Sequence, residues 1–166
     1  MRKENIVLIG MPGAGKSTVG VVLAKKIAMK FLDSDLVIQE KTGKKLCEII
    51  DEKGLDGFVQ VEEEVNAEIE VTNAVIATGG SVVYGKKAME HLAKIGHIVY
   101  LQIPYEELEI RLGDLKERGV VLKPGYTLKT LYEERTPLYE KYAEITIPCE
   151  GKMIREIVSE IIKEVS

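Results

Sequence analysis

The chain has 166 residues, 45% hydrophobic and 30% charged, with a formal net charge of −4. This is the size and composition of one globular domain with a core of useful size. The acidic balance argues against a general nucleic-acid binder, which needs a basic footprint, so any phosphate site must be built locally from backbone N–H groups and a few Lys or Arg.

Ile6-Val7-Leu8-Ile9 is a continuous apolar run ended by Gly10. It predicts a strand buried on both faces, as at the centre of a parallel sheet. It is too short for a signal peptide or a membrane span, so the expectation is a cytoplasmic protein with no membrane partner. From Gly15 to about Met29 the spacing is helical, with Val19, Val22, Leu23 and Ile27 on one side. Phe31-Leu32 predicts a short strand ending at Asp33, followed by a helix from about Asp35 that stops at Gly43. Two more helices are predicted over Lys44–Lys53 and Leu55–Val71, with Phe58, Val61, Val65 and Ile69 forming the apolar stripe of the second. Asp51-Glu52-Lys53-Gly54 has a D-x-x-G form, but its helical setting reads as a C-terminus with Gly54 as the C′ residue.

Ala74–Ala77 predicts a third strand, closed by Thr78-Gly79-Gly80. A helix over Lys86–Lys94, a strand over His97–Leu101 and a helix opened by Pro104 come next. The stretch 113–126 is irregular and long enough to be a lid. Leu128–Ala143 predicts a helix, Ile145–Ile147 a strand, and Ile154, Ile157, Val158, Ile161 and Val165 one face of a last helix. Strands and helices alternate, which predicts a three-layer α/β/α sandwich around a parallel sheet. The whole of 1–166 reads as a single domain, with a helical segment at about 34–72 for an acceptor and a lid at about 113–126. Cys47 and Cys149 have no CxxC spacing and are expected to be reduced, packed thiols. His91 and His97 have no evident partner and are expected to be structural.

The chemistry starts at Gly10-Met-Pro-Gly-Ala-Gly15-Lys16-Ser17, a G-x-x-x-x-G-K-[ST] match directly after a strand and before a helix. The glycines let successive N–H groups turn inward around phosphate oxygens, and the helix adds its positive end. Gly13, Ala14, Gly15, Lys16, Ser17 and Thr18 are the expected nucleotide contacts, with Lys16 on the β- and γ-phosphates and Ser17 Oγ on Mg²⁺. No N-K-x-D is present to read guanine. The acids at a strand end are Asp33 and Asp35, and ligands of open α/β sheets collect there. In extended chain, residues two apart face the same way, so both carboxylates are expected to face one cleft. Asp33 then suits Mg²⁺, and Asp35 suits an acceptor hydroxyl. The competing reading makes Ser34 or Asp35 only a helix N-cap.

In order along almost the whole chain, these residues resemble the shikimate kinase family. The resemblance takes in the P-loop, Asp33-Ser34-Asp35, Phe58 with Glu62, Thr78-Gly79-Gly80, Arg111, and Arg135-Thr-Pro-Leu-Tyr139. It implies a nucleoside-monophosphate-kinase-like fold with strand order 2-3-1-4-5, and transfer of a phosphoryl group from Mg-ATP to the 3-hydroxyl of shikimate. It also implies Asp35 at the acceptor hydroxyl, Asp33 near the metal, Arg135 on the acceptor carboxylate, Arg111 against adenine and Arg118 as the lid arginine near the phosphates. Glu62, Gly79 and Gly80 are placed in the acceptor site by motif position.

Three positions depart from the family pattern. Val59 stands where Phe-Arg-x-x-Glu carries arginine, Ser81 stands for a third glycine, and the lid reads Arg118-Gly119-Val120-Val121-Leu122 rather than Arg-Pro-Leu-Leu. Valine cannot form a guanidinium–carboxylate pair, so a different small alcohol, or a gluconate-type substrate, is the alternative acceptor. A nucleoside monophosphate acceptor would need extra arginines that the segment 55–65 lacks. A non-catalytic nucleotide-binding regulator of the same fold is the alternative of another class. The expected partners are ATP, Mg²⁺ and a small hydroxyl compound, with the protein a monomer.

Overall fold

The computed structural model describes residues 4–112 and 122–166. β1 (Asn5–Ile9) is the fully buried middle strand of a five-stranded sheet in the order β2-β3-β1-β4-β5. The other strands are β2 (Lys30–Asp33), β3 (Ala74–Ala77), β4 (Gly96–Gln102) and β5 (Ile145–Pro148), and every neighbouring pair is parallel. Val7 aligns with Ile76 on one side and Ile98 on the other, three apolar residues side by side. Such uniform runs survive only where helices cover both faces. The covering helices are α1 (Lys16–Lys26), α2 (Ser34–Thr42), α3 (Leu46–Ala67), α4 (Lys86–Ile95), α5 (Tyr105–Leu112), α6 (Leu128–Tyr142) and α7 (Ile154–Val165).

Asn5 is buried and fully used. Its Nδ2 donates to Val71 O at 2.9 Å and Ile95 O at 3.0 Å, and its Oδ1 accepts from Ala74 N at 3.0 Å. It ties the entries of β3 and β4 to β1, so a polar residue inside the sheet leaves no group unpaired.

The structure departs from the sequence expectations at helix ends. α1 stops at Lys26 rather than Met29, because Ala28 turns into the left-handed region at φ 57°. No glycine marks that stop, which is why the pattern ran on. Gly54 has φ 76° and ψ 177°, but it kinks α3 instead of ending it, and helix resumes at once. α3 ends at Ala67, so Ile69 reaches the main core from beyond the helix. Phe58 and Val65 join Ile38 and Ile49 in a smaller cluster between α2 and α3. The buried face of α3 also carries Glu62 and Asn66, which an apolar stripe does not anticipate. A 3₁₀ turn at Val82–Tyr84 was likewise not expected. Cys149 is buried, as expected, but Cys47 is exposed. His91 Nε2 meets Ile69 O, and His97 Nδ1 pairs with Glu144 Oε2, each at 2.6 Å. No described helix is long and apolar enough to cross a membrane.

Candidate active site

The loop from Gly10 to Gly15 leaves the carboxyl end of β1, the central strand, where the chain crosses from one side of the sheet to the other. Clefts form at such points in open parallel sheets. Gly13 (φ 85°) and Gly15 (φ 92°) take left-handed conformations that other residues adopt only with strain. A Cβ on Gly15 would meet nothing within 4 Å, so the loop is open at the mouth of α1. No side chain caps α1 and its first turn holds no acid, which leaves its N–H groups and positive end for an anion. Ser17 and Thr18 are exposed in that turn.

Lys16 is buried and folds back, donating from Nζ to Gly10 O at 2.7 Å and Met11 O at 2.8 Å. Burial pushes its pKa down to about 8, with Arg135 adding to the fall and Asp35, Asp33 and Glu62 opposing it. An ammonium that is poorly solvated and held only by two carbonyls is poised to exchange them for phosphate oxygens.

Asp33 and Asp35 do approach the same cleft, but strand alternation is not the reason. β2 ends at Asp33 and α2 begins at Ser34. Asp33 is the N-cap, its Oδ1 accepting from Asp35 N at 2.9 Å, and Asp35 lies in the first helical turn. The cap is therefore neither Ser34 nor Asp35. Burial first, then the Asp33 charge, pushes the Asp35 carboxyl pKa up, and Lys16 opposes them.

The turn after β3 brings the remaining groups together. Thr78 Oγ1 donates to Leu8 O at 2.7 Å and holds the turn against β1. A Cβ on Gly79 would lie 2.8 Å from Glu62 Oε2 and 2.9 Å from Asp35 Oδ1. A Cβ on Gly80 would lie 2.7 Å from Pro12 Cδ and 2.9 Å from Arg135 Nη1. These glycines are needed for close approach, since neither has a positive φ. Glu62 Oε1 accepts from Ser81 Oγ at 2.6 Å, while Oε2 is buried with no partner among the described residues. Burial pushes the Glu62 carboxyl up to about 7; Asp35 adds to this, while Ser81, Arg135 and Lys16 pull it down.

α6 closes the other side. Tyr139 Oη donates to Gly80 O at 2.6 Å, and Arg135 Nε donates to Tyr84 Oη at 3.3 Å. Pro137 lies inside α6 and cannot donate to the preceding turn, and Thr136 Oγ1 bonds Tyr132 O at 2.7 Å beside it. Arg111 on α5 reaches the loop, donating from Nη1 to Gly13 O at 3.3 Å and from Nη2 to Glu107 at 2.7 Å.

Lys16, Asp33, Asp35, Glu62, Gly79, Gly80 and Arg135 thus surround one space. Val59 is half-buried and packs against the smaller apolar cluster. Arg118 and the lid residues up to 121 lie outside the described residues. Sequence reasoning assigned no role to Tyr84, Ser81 or Tyr139. Tyr139 sits in the Arg135–Tyr139 run, four residues past Arg135 on the same helical face, and that spacing is a usable signal. Nothing around Tyr84 marks it.

The family model and the curated relatives point to one family. The shikimate kinase profile matches residues 12–166. A shikimate kinase of Vibrio cholerae is 38% identical over 164 residues, covering 97% of this chain and 94% of its own length. One from Haemophilus influenzae is 37% identical, covering 96% and 91%. Among solved structures, a shikimate kinase from Acinetobacter baumannii in complex with shikimate superposes with TM-score 0.88 at 34% identity, covering 98% of this chain and 93% of that one. The Aquifex aeolicus shikimate kinase gives 0.81 at 35% identity, covering 97% and 95%.

Proposed function

This chain belongs to the shikimate kinase family, and from that premise we propose that it moves the γ-phosphoryl group of ATP to the 3-hydroxyl of shikimate. The observation that carries the reading is the Gly79–Gly80 turn, with two carboxylates on one side, a guanidinium on the other, and Lys16 close by. The acceptor lies in that gap with its carboxylate toward Arg135 and its reacting hydroxyl toward Asp35. The hydroxyl oxygen bonds to the γ-phosphorus as the bridge to the β-phosphate breaks, and ADP leaves. Asp35 orients the hydroxyl and receives its proton, a role its raised pKa suits. Lys16 neutralises the charge that gathers on the β–γ oxygens.

A metal ion fits the donors present. Among the described residues no group of three or more His, Cys, Asp or Glu is arranged to hold a metal ion, so no all-protein cage is on offer. Mg²⁺ normally keeps waters and takes one or two protein oxygens beside phosphates. Ser17 Oγ and the Asp33 carboxylate would supply those oxygens. When bound, the ion offsets phosphate charge. Arg111 on the adenine side completes the described part of the proposed nucleotide site, and the family resemblance assigns Arg118, outside the described residues, to the phosphates.

ADP release measured with ATP, Mg²⁺ and a panel of shikimate, uncharged cyclic polyols, gluconate and amino-alcohols tests the reading. Shikimate is expected to be the preferred acceptor, with a phosphate ester on its 3-oxygen by ³¹P NMR. Faster turnover of an uncharged polyol or of gluconate would assign a different acceptor. ATP binding with no acceptor-stimulated turnover would make the protein a nucleotide-binding regulator.

A further inference from the structure

We infer that Tyr84 is a positioning residue that fixes the Arg135 guanidinium end-on toward the acceptor, an inference that rests on Arg135 receiving the acceptor carboxylate. Two contacts join the pair. Arg135 Nε donates to Tyr84 Oη at 3.3 Å, and the guanidinium carbon lies 5.4 Å from the centre of the Tyr84 ring. The first fixes the edge of the guanidinium, and the second fixes its face.

Tyr84 is the fixed member. It ends the 3₁₀ turn that follows Gly79–Ser81, and that turn is closed by Val82 N to Gly79 O at 3.2 Å, Tyr84 N to Ser81 O at 3.1 Å and Gly85 N to Val82 O at 3.0 Å. Val82 and Val83 are buried in the main core and anchor it. Arg135 has a long flexible stem and, among the described residues, forms no ion pair, although Glu133 and Glu134 adjoin it in sequence. The same short segment therefore supplies the Gly79–Gly80 turn, the Ser81 donor to Glu62 and the Tyr84 clamp.

The geometry also selects which edge of the guanidinium is free. A carboxylate can be held in bidentate fashion by Nη1 and Nη2, or by Nε and one Nη. Tyr84 occupies Nε. Nη1 points to the Gly80 turn, 2.9 Å from where a Cβ would stand. With Nε taken by Tyr84, the acceptor carboxylate is left the Nη1–Nη2 end, which lies at the Gly80 turn next to Gly79 and Asp35. Burial raises the Tyr84 pKa, so the phenol stays neutral with a lone pair for Nε. Val59 is apolar, and of the other described arginines Arg111 is engaged at Gly13 while Arg155 lies on α7 beside Lys26 and Lys152, away from the Gly79–Gly80 turn. Among the described arginines, Arg135 is thus the one whose orientation can align an anionic acceptor.

Steady-state kinetics of the full-length enzyme with shikimate and with its uncharged carboxamide, on the unaltered protein, Tyr84→Phe and Tyr84→Leu, test the assignment. Tyr84→Phe keeps the ring face and loses the hydroxyl, so KM for shikimate should rise about threefold. Tyr84→Leu loses both and should raise it about tenfold. KM for ATP and kcat should stay within about twofold, and the carboxamide should be used equally by all three, because the effect is confined to the carboxylate. A shikimate KM unchanged in both variants overturns the assignment, and so does an equal loss on the carboxamide, which would mark a merely structural role. If the unaltered enzyme ignores shikimate but turns over another acceptor, the functional reading fails first and the positioning role falls with it.

Discussion

Glu62 and Asp35 reach the same point from different helices: a Cβ on Gly79 would stand 2.8 Å from the Glu62 Oε2 and 2.9 Å from the Asp35 Oδ1. Burial, with the Asp35 charge adding to it, pushes the Glu62 carboxyl up, and burial, with the Asp33 charge adding to it, does the same to Asp35. The arrangement depends on residue 79 having no side chain. Gly79→Ala is expected to displace Asp35 by a fraction of an ångström to an ångström, enough to lower kcat/KM about a hundredfold, while ATP affinity, measured by calorimetry, changes little. Activity within about twofold of the unaltered enzyme would show that Asp35 has room to move without consequence.

Asp35→Asn keeps the size of the side chain but cannot take a proton. Turnover should fall by about two to four orders of magnitude, the usual worth of a positioned base. ATP should still bind, slightly less well at mildly alkaline pH, because the Asp35 charge helps keep Lys16 protonated. Full turnover in this variant would remove the carboxylate from the mechanism.

Lys16 makes nucleotide affinity depend on pH. Its pKa in the free protein is about 8, against an ordinary 10.5. Below 8 the ammonium is formed and ready for phosphate. Above 8 the free protein carries a neutral amine, and ATP binding must take up a proton. Titration calorimetry at pH 7 and pH 9 should show the ATP association constant falling up to about tenfold, with proton uptake visible in buffers of different ionisation enthalpy. Lys16→Met should bind weakly at both pH values and lose the difference.

The fold and the Gly10–Ser17 loop were legible because they are local. Gly10–Ser17 lies between a buried strand and a helix, and Asp33–Asp35 closes the next strand; both are contiguous in the chain. What was not legible depends on docking. Gly54 carries the ordinary mark of a helix end, but the chain re-enters helix at once and only kinks. Asp33 and Asp35 share the cleft through a helix cap, not through strand alternation. Tyr84 meets Arg135 across 51 residues of sequence, a contact that no periodicity or spacing encodes. The orphaned oxygen of Glu62 is also a tertiary property, visible only once α3 lies against the turn after β3.

Glu62 should link stability to acidity. Its carboxyl is pushed from 4.5 to about 7 by burial. Below pH 4.5 it is protonated both folded and unfolded, and its contribution is fully present. As pH rises from 4.5 through 7 the unfolded chain ionises first, and the folded state loses up to about 3 kcal/mol, a tenfold difference in proton affinity being worth about 1.4 kcal/mol. Glu62→Gln stays neutral, still accepts from Ser81, and offers an amide donor on the orphaned side. Urea unfolding across pH 4.5–7 should show this component of the slope in the unaltered protein and its removal in the variant. Equal slopes would mean that Glu62 is ionised with an ordinary pKa.

Val59→Arg probes the acceptor side and Glu62 together. Residues three apart on a helix are neighbours on its surface, so position 59 lies next to Glu62 on α3. The new guanidinium would leave the apolar cluster that Val59 now touches, at a packing cost of about 1 kcal/mol. It would reach Glu62, whose Oε2 has no partner among the described residues. An adjacent cation favours the ionised carboxylate, so the pH 4.5–7 stability slope attributed to Glu62 should shrink. A second guanidinium near Arg135 should also lower KM for shikimate by about threefold to tenfold, while KM for an uncharged polyol stays the same. A changed slope with an unchanged KM would put position 59 beside Glu62 but outside the acceptor's reach. If neither moves, residue 59 points away from the site, and Arg135 alone among these groups holds the acceptor's charge.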